Sequence, residues 1–145
     1  MKYNIPDYEF CAKMGMKSLH GCIIYIKGYP LVQVTNLPEG YVFGCYVPSI
    51  HAEMNAIYLA NKQIKNFKNA TLVVVRYTKD GKLANSYPCN HCINLIKMCG
   101  IKTVYYSIED NNGSLVKIKT KNLEMIHISS GMRRLNIDNI NYKIL

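Results

Sequence analysis

The run Thr71-Leu72-Val73-Val74-Val75-Arg76-Tyr77 is almost wholly apolar and β-branched, and it limits the possible folds more than any other stretch. Side chains alternate across a strand, so a strand that is apolar on both faces needs cover on both sides. That is the position of a central strand in an α/β sheet. Ile101-Lys102-Thr103-Val104-Tyr105-Tyr106-Ser107 reads as a second central strand. Between the two, Cys89 to Cys99 places Cys92, Ile93, Ile96 and Cys99 close to helical spacing, and Gly100 is a good stop for that helix.

The remaining segments fit around this core. Asp7 to Leu19, led by Pro6 and Asp7 and carrying Phe10 and Met14, reads as a short first helix. Cys22 to Ile26 and Leu31 to Thr35, broken by Lys27-Gly28-Tyr29-Pro30, read as a β-hairpin. Leu37 to Ile50, with Gly44 and Pro48, is a loop or a further extended segment. It leads to a helix from His51 to Ala60 whose Ala56, Leu59 and Ala60 share a side. After Ser107, Asn111-Asn112-Gly113-Ser114 forms a turn, and Leu115 to Lys119 returns as an antiparallel last strand. Leu123 to Leu145 has only loose patterning, with Ser129-Ser130-Gly131 as a break and Ile137, Ile140 and Tyr142 as docking candidates.

With 145 residues the chain is of single-domain size, and its 49% hydrophobic content is that of a globular protein. The expected organisation is one domain over 1–145, with its core at about 7–119 and an extension over 120–145. No apolar run approaches a membrane span, and MKYNIPDYEF is too polar for a signal peptide, so a soluble cytoplasmic protein is expected. Cys11, Cys22, Cys45 and Cys99 show no paired spacing and read as reduced, buried thiols. The formal charge of +9 comes mostly from scattered lysines, with arginine only at Arg76, Arg133 and Arg134. Such a surface attracts phosphate, whether of a nucleotide or of a polynucleotide, and does not choose between them.

Two short stretches carry chemistry. His51-Ala52-Glu53 and Pro88-Cys89-Asn90-His91-Cys92 supply an imidazole, two thiols three residues apart and a carboxylate. Cys89 and Cys92 sit one helical turn apart at a helix start, where partial positive charge and free amides favour thiolates. One histidine and two cysteines form a zinc ligand set with an open coordination position. A structural zinc site would be closed by a fourth protein ligand, for which Cys45, His91 and His20 are the candidates.

The pattern H-x-E followed by P-C-x-x-C resembles the zinc-dependent cytidine and deoxycytidylate deaminase superfamily. The resemblance implies a three-layer α/β/α fold, with a central five-stranded mixed sheet flanked by helices. It also implies Zn²⁺ held by His51, Cys89 and Cys92, with Glu53 as the catalytic proton shuttle and not a ligand. Substrate contacts carried over by position are Asn36, the backbone of Ala52 and of Ser86 or Tyr87, the ring of Tyr87, and Tyr106 at a strand end facing the pocket. His91 is expected at the surface, and His20 and His127 receive no role.

The implied activity is hydrolytic deamination of a cytosine nucleoside or nucleotide to the uracil product, with release of ammonia. A deaminase acting on a base within tRNA or single-stranded nucleic acid is one alternative, and a non-catalytic zinc-stabilised binding module is another. Self-association into a homo-oligomer is implied by the family habit. Two clues to the subfamily disagree: His51-Ala52-Glu53-Met54-Asn55-Ala56-Ile57 resembles deoxycytidylate or guanine deaminases, while a terminal hairpin resembles small cytidine deaminases.

Overall fold

The computed structural model describes residues 3–109 and 113–126. In chain order the elements are α1 (Tyr8–Ala12), β1 (Leu19–Ile26), β2 (Tyr29–Thr35), β3 (Leu37–Val42), β4 (Cys45–Ile50) and α2 (Ala52–Ala60). They continue with β5 (Ala70–Tyr77), β6 (Leu83–Ala84), α3 (Asn90–Cys99), β7 (Thr103–Tyr106), β8 (Val116–Lys119) and a 3-10 turn at Thr120–Asn122. The main sheet runs β2-β1-β5-β7-β8, and β6 adds a short rung beside β5. This is the expected five-stranded path, with a sixth strand too short to be seen as a pattern. β5 and β7 are parallel, with α3 as their crossover, and β8 returns antiparallel to β7 with Tyr106 opposite Val116. Asn111 and Asn112 of the expected turn lie outside the described residues, as do His127 and the expected break and docking residues of the tail.

Burial explains the order of strands. Leu72, Val73, Val74 and Val75 are all fully buried, as a central strand with cover on both faces requires. On one face Cys22, Ile24, Leu72, Val74 and Val104 pack with Met54, Ile57, Ile93 and Ile96 of α2 and α3. On the other, Cys11 of α1 packs with Leu19, Val75 and Tyr77, and Ile23, Tyr25 and Val73 lie under Tyr3 and Ile5. The mixed sheet therefore has helices on both sides, with the thicker layer formed by α2 and α3.

One expectation is corrected and one is decided between its two alternatives. The first helix spans one turn, not Asp7 to Leu19. Asp7 caps it by accepting from the Phe10 amide at 2.8 Å, and Gly15 then turns the chain at φ +65°. Met14 is half exposed, and Leu19 is a buried residue of β1. Leu37 to Ile50 is a hairpin in its own two-stranded sheet, with Val42 opposite Cys45. Its tight turn, Phe43-Gly44, has φ +48° and +76°, the conformation that matches strand twist in a two-residue loop. Phe43 tolerates this because its ring is buried edge-on against Tyr58, with centroids 5.3 Å apart.

Candidate functional site

The two helices of the thick layer both begin at the site. Ile50 ends β4, so His51 becomes the N-cap of α2 with an extended backbone, and Cys89 does the same for α3. Neither side chain closes a capping hydrogen bond. Both are left free to point at each other. His51 Nδ1 lies 3.3 Å from Cys92 Sγ and 3.4 Å from Cys89 Sγ. Among the described residues this trio is the one metal-competent cluster of its kind, its donor atoms lying within 4.8 Å of one another. Cys45, His91 and His20, candidates for a fourth protein ligand, are not members of it.

Charge makes the case for a cation. Cys89 is held far below the usual thiol range by the hydrogen bond from Cys92 and by His51, against the opposing effect of burial. Cys92 is driven well above that range by burial and by the negative charge of Cys89. With only protein groups present, the buried pair supports one thiolate. A divalent cation between the sulfurs would neutralise two. Burial lowers the His51 pKa, but hydrogen bonding and attraction to Cys89 outweigh it, so the net shift is upward. Two cysteine sulfurs and one imidazole nitrogen converging at a helix N-terminus fit zinc by donor type and number, with room for one non-protein ligand. His51 would bind through Nδ1.

Glu53 follows His51 in the first turn of α2 and is only 5% exposed. Its carboxyl lies within hydrogen-bonding reach of Cys92 but stands outside the donor cluster. Burial pushes its pKa up to about 7, opposed by the charge of His51. A carboxyl in that range can both accept and return a proton near neutrality.

A family model described as the cytidine and deoxycytidylate deaminase zinc-binding region matches residues 12–108, more than half of the chain. The chain belongs to the cytidine and deoxycytidylate deaminase family. Two solved structures are similar to it. The dCMP deaminase of cyanophage S-TIM5 in apo form is 26% identical, over 66% of this chain and 70% of that one, with a TM-score of 0.47. The same enzyme in complex with dCMP and dUMP is 25% identical, over 63% and 66% of the two chains, with a TM-score of 0.46. No curated protein matches the chain.

Within this deaminase domain, the expected substrate contacts divide into groups with and without other commitments. Asn36 is buried between β2 and β3, its Oδ1 accepting from the His20 amide at 3.1 Å and its Nδ2 donating to Ser18 O at 2.9 Å. It therefore pins the start of β1. Ala52 is buried at the first position of α2. The amide of Ser86 donates to Ser107 O at 2.9 Å, and that of Tyr87 to Asn85 Oδ1 at 2.7 Å. Tyr87 and Tyr106 meet edge-on, with centroids 5.1 Å apart, and the Tyr87 hydroxyl accepts from the Glu124 amide at 2.7 Å. The Tyr87 ring is thus held as a packed wall.

Three features escape the sequence. His91, expected at the surface, is 4% exposed. His20, given no role, faces the metal centre closely enough to feel the charges of His51 and Cys89. Burial, chiefly, and His51 hold its pKa down to about 4. The third is a hydroxyl pair beneath the Cys89 loop. Ser86 Oγ donates to Val74 O at 2.9 Å and accepts from the Ser107 amide at 2.7 Å. Ser107 Oγ donates to Ala84 O at 2.7 Å and accepts from the Arg76 amide at 3.1 Å. Two serines near strand ends give no sequence signal, because serine is as common in exposed loops.

Proposed function

We propose that this chain is a zinc-dependent hydrolase that deaminates the cytosine of a nucleoside or nucleotide, yielding the uracil product and ammonia. The observation that carries this reading is the convergence of His51 Nδ1, Cys89 Sγ and Cys92 Sγ, with buried Glu53 in the first turn of the helix that His51 caps. Zinc held by His51, Cys89 and Cys92 would supply Lewis acidity, bringing the pKa of water down to near neutrality. Glu53 takes up the proton that water gives up and carries it to the ring nitrogen as the oxygen adds to the amine-bearing carbon; it then takes the second proton, from the added hydroxyl, and passes it to the amine as the C–N bond breaks, leaving the carbonyl and ammonia. Its buried setting suits both halves of that task, since a fully ionised carboxylate would return protons poorly. Ala52, beside His51, offers backbone groups to the amide edge of the base. Tyr87 and Tyr106 wall the pocket, while Asn36 and Ser86 shape it from behind.

The charge of +9 favours a second reading, in which the base lies within tRNA or single-stranded DNA. An ammonia-release screen over nucleosides, nucleotides and oligonucleotides with zinc-loaded protein separates the two. Release from deoxycytidine or deoxycytidylate that Glu53→Gln abolishes supports the first reading. Release from oligonucleotides alone selects the second, and no release from any of them rejects both.

A further inference from the structure

His20 and Arg76, neither of them a metal ligand, stand side by side at the end of the sheet where the metal centre lies. The register of β1 and β5 sets them directly opposite each other, so their Cα atoms are about 4.5–5.5 Å apart. Side chains alternate across a strand. Cys22 and Ile24 of β1, and Leu72 and Val74 of β5, pack against α2 and α3, which puts His20 and Arg76 on that same face. β6 takes up the sheet beyond the end of β7, with Ala84 opposite Arg76. The Arg76 amide donates to Ser107 Oγ at 3.1 Å, so the backbone behind the pair is held on both sides.

Two observations point from this pair to a ligand. The first is that their polar groups are uncommitted. The His20 amide is held by Asn36, but its ring has no hydrogen-bond partner among the described residues, and its nitrogens are not fully enclosed. Arg76 Nη1 donates to Asn85 O at 3.5 Å, the long limit of such a bond, and no carboxylate among the described residues pairs with the guanidinium. Arg76 is partly buried, and a cation so placed is costly unless an anion reaches it. The second observation is position. His20 feels the charges of His51 and Cys89 on one side and that of Arg76 on the other. His51, Cys89 and Glu53 respond chiefly to burial, to one another and to Cys92, and not to Arg76. Arg76 therefore stands further from the metal than His20 does. In the proposed reaction the amine-bearing carbon faces the metal, and the 5′-phosphate of a nucleotide is separated from that carbon by the pyrimidine ring and the sugar. A group that reads the phosphate must stand off the metal in the same way.

We propose that Arg76, with the His20 imidazole beside it, binds the 5′-phosphate of the substrate and makes this site prefer a cytosine nucleotide to the nucleoside. The proposal rests on the deaminase reading above and narrows it. Residue type agrees with position. Of 18 basic residues only Arg76, Arg133 and Arg134 are arginine, so lysine supplies the general positive charge. The planar fork of donors falls instead where two oxygens of one phosphate can be held at once. Tethering Asn85 alone would use one of the five guanidinium donors and would leave the uncommitted His20 ring unexplained.

Two measurements on the zinc-loaded full-length protein test this. One is ammonia release from deoxycytidylate and deoxycytidine; the other is calorimetric binding of the products deoxyuridylate and deoxyuridine, which needs no turnover. The nucleotide is expected to bind and react roughly tenfold or more better than the nucleoside, the scale of a charge-assisted hydrogen bond. In Arg76→Gln that preference should be lost, with the change in KM. Arg76→Lys, which keeps the charge without the fork, should lose part of it. His20→Gln should lower the preference several-fold. Lys79→Gln removes a charge from the exposed turn after β5 and should keep the preference, which controls for long-range attraction. Equal treatment of nucleotide and nucleoside by the wild type overturns the proposal. So does a wild-type preference in Arg76→Gln, or an equal loss in Lys79→Gln. An unchanged preference in His20→Gln overturns the role of its ring. Nucleotide binding that depends on Arg76, without ammonia release, upholds the phosphate site and rejects the deaminase reading; ammonia release at equal efficiency from both substrates upholds that reading and rejects the phosphate site. An oligonucleotide with one internal cytosine carries the same phosphate as a diester. If Arg76→Gln weakens its binding and leaves that of deoxyuridylate as in the wild type, the mononucleotide is rejected as the occupant.

Discussion

Replacing Ser107 by alanine tests how the fold positions the metal centre. Ser107 is fully buried, and its Oγ donates to Ala84 O and accepts from the Arg76 amide, while lying 2.9 Å from Ser86 Oγ. Removing it breaks two neutral hydrogen bonds, worth about 1 kcal/mol each, and leaves buried polar groups to be satisfied by relaxation. The expected loss is about 2–4 kcal/mol, or a Tm lower by about 5–12 °C for a chain of this size. The Ser86 and Ser107 hydroxyls tether the segment from Ala84 to Ser86, a few residues before Cys89, so the loss should reach the ligand set. Zinc affinity is expected to fall about tenfold to a hundredfold, the scale seen when groups supporting metal ligands are removed. Urea unfolding and competition with a chromogenic chelator measure the two effects. Ser86→Ala should resemble Ser107→Ala, and the double variant should cost less than the sum, because the hydroxyls share one network. If Ser107→Ala stays within 0.5 kcal/mol, about the size expected of an ordinary surface change, and holds zinc normally, the network does not support the site.

Glu53→Gln should retain zinc by elemental analysis while deamination falls by a factor of about 10² to 10⁴. Chelation of zinc should lower the Tm, since a site saturated a hundredfold above its Kd contributes about 2.7 kcal/mol that folding loses with the metal; scanning calorimetry with and without chelator reads it. At alkaline pH the α1 face should lose stability. Burial and the charge of Asp7 push the Cys11 thiol from 9.0 up to about 12, and burial pushes the Tyr77 phenol from 10.0 up to about 12. Both folded pKa values exceed the unfolded ones, so the native state binds more protons and stability falls as pH rises from about 9 to 12. Thermal melts across that range should show it, with a smaller decline in Cys11→Ala. In Gly21→Ala a new Cβ would lie 2.6 Å from Cys11 Sγ and 2.7 Å from Pro6 Cβ. This overpacking is expected to cost about 1–3 kcal/mol by urea unfolding.

What the sequence reveals follows from the range over which each signal acts. β5 is readable because full burial on both faces forces every position to be apolar, from Leu72 to Val75. Metal ligands are readable because their spacing is set within one helical turn, or by a single step onto a helix. The β3–β4 hairpin is not readable in the same way. Its turn lacks the usual Asn-Gly or Asp-Gly pair, and the left-handed Phe43 is compensated by Tyr58, far along the chain. α1 is shorter than its sequence pattern for a related reason: Met14 and Leu19 fit a helical spacing, but Gly15 and the pairing of Leu19 with Tyr77 override it.

Longer-range relations explain the rest of the site. His20 reaches the metal centre through the pairing of β1 with β5, and Asn36 returns to hold the amide of His20. His91 lies between the two cysteine ligands in sequence, and helical spacing places it on a different face from theirs. The structure buries that face of the first turn of α3 as well, where Asn90 alone is partly exposed. Burial likewise removes Glu53 from bulk solvent and raises its pKa. A carboxylate at this spacing on an exposed helix would stay ionised and serve poorly as an acid. The motif thus names the chemical groups, and the packing of α2 and α3 against the sheet gives Glu53 the buried setting that its proposed work requires.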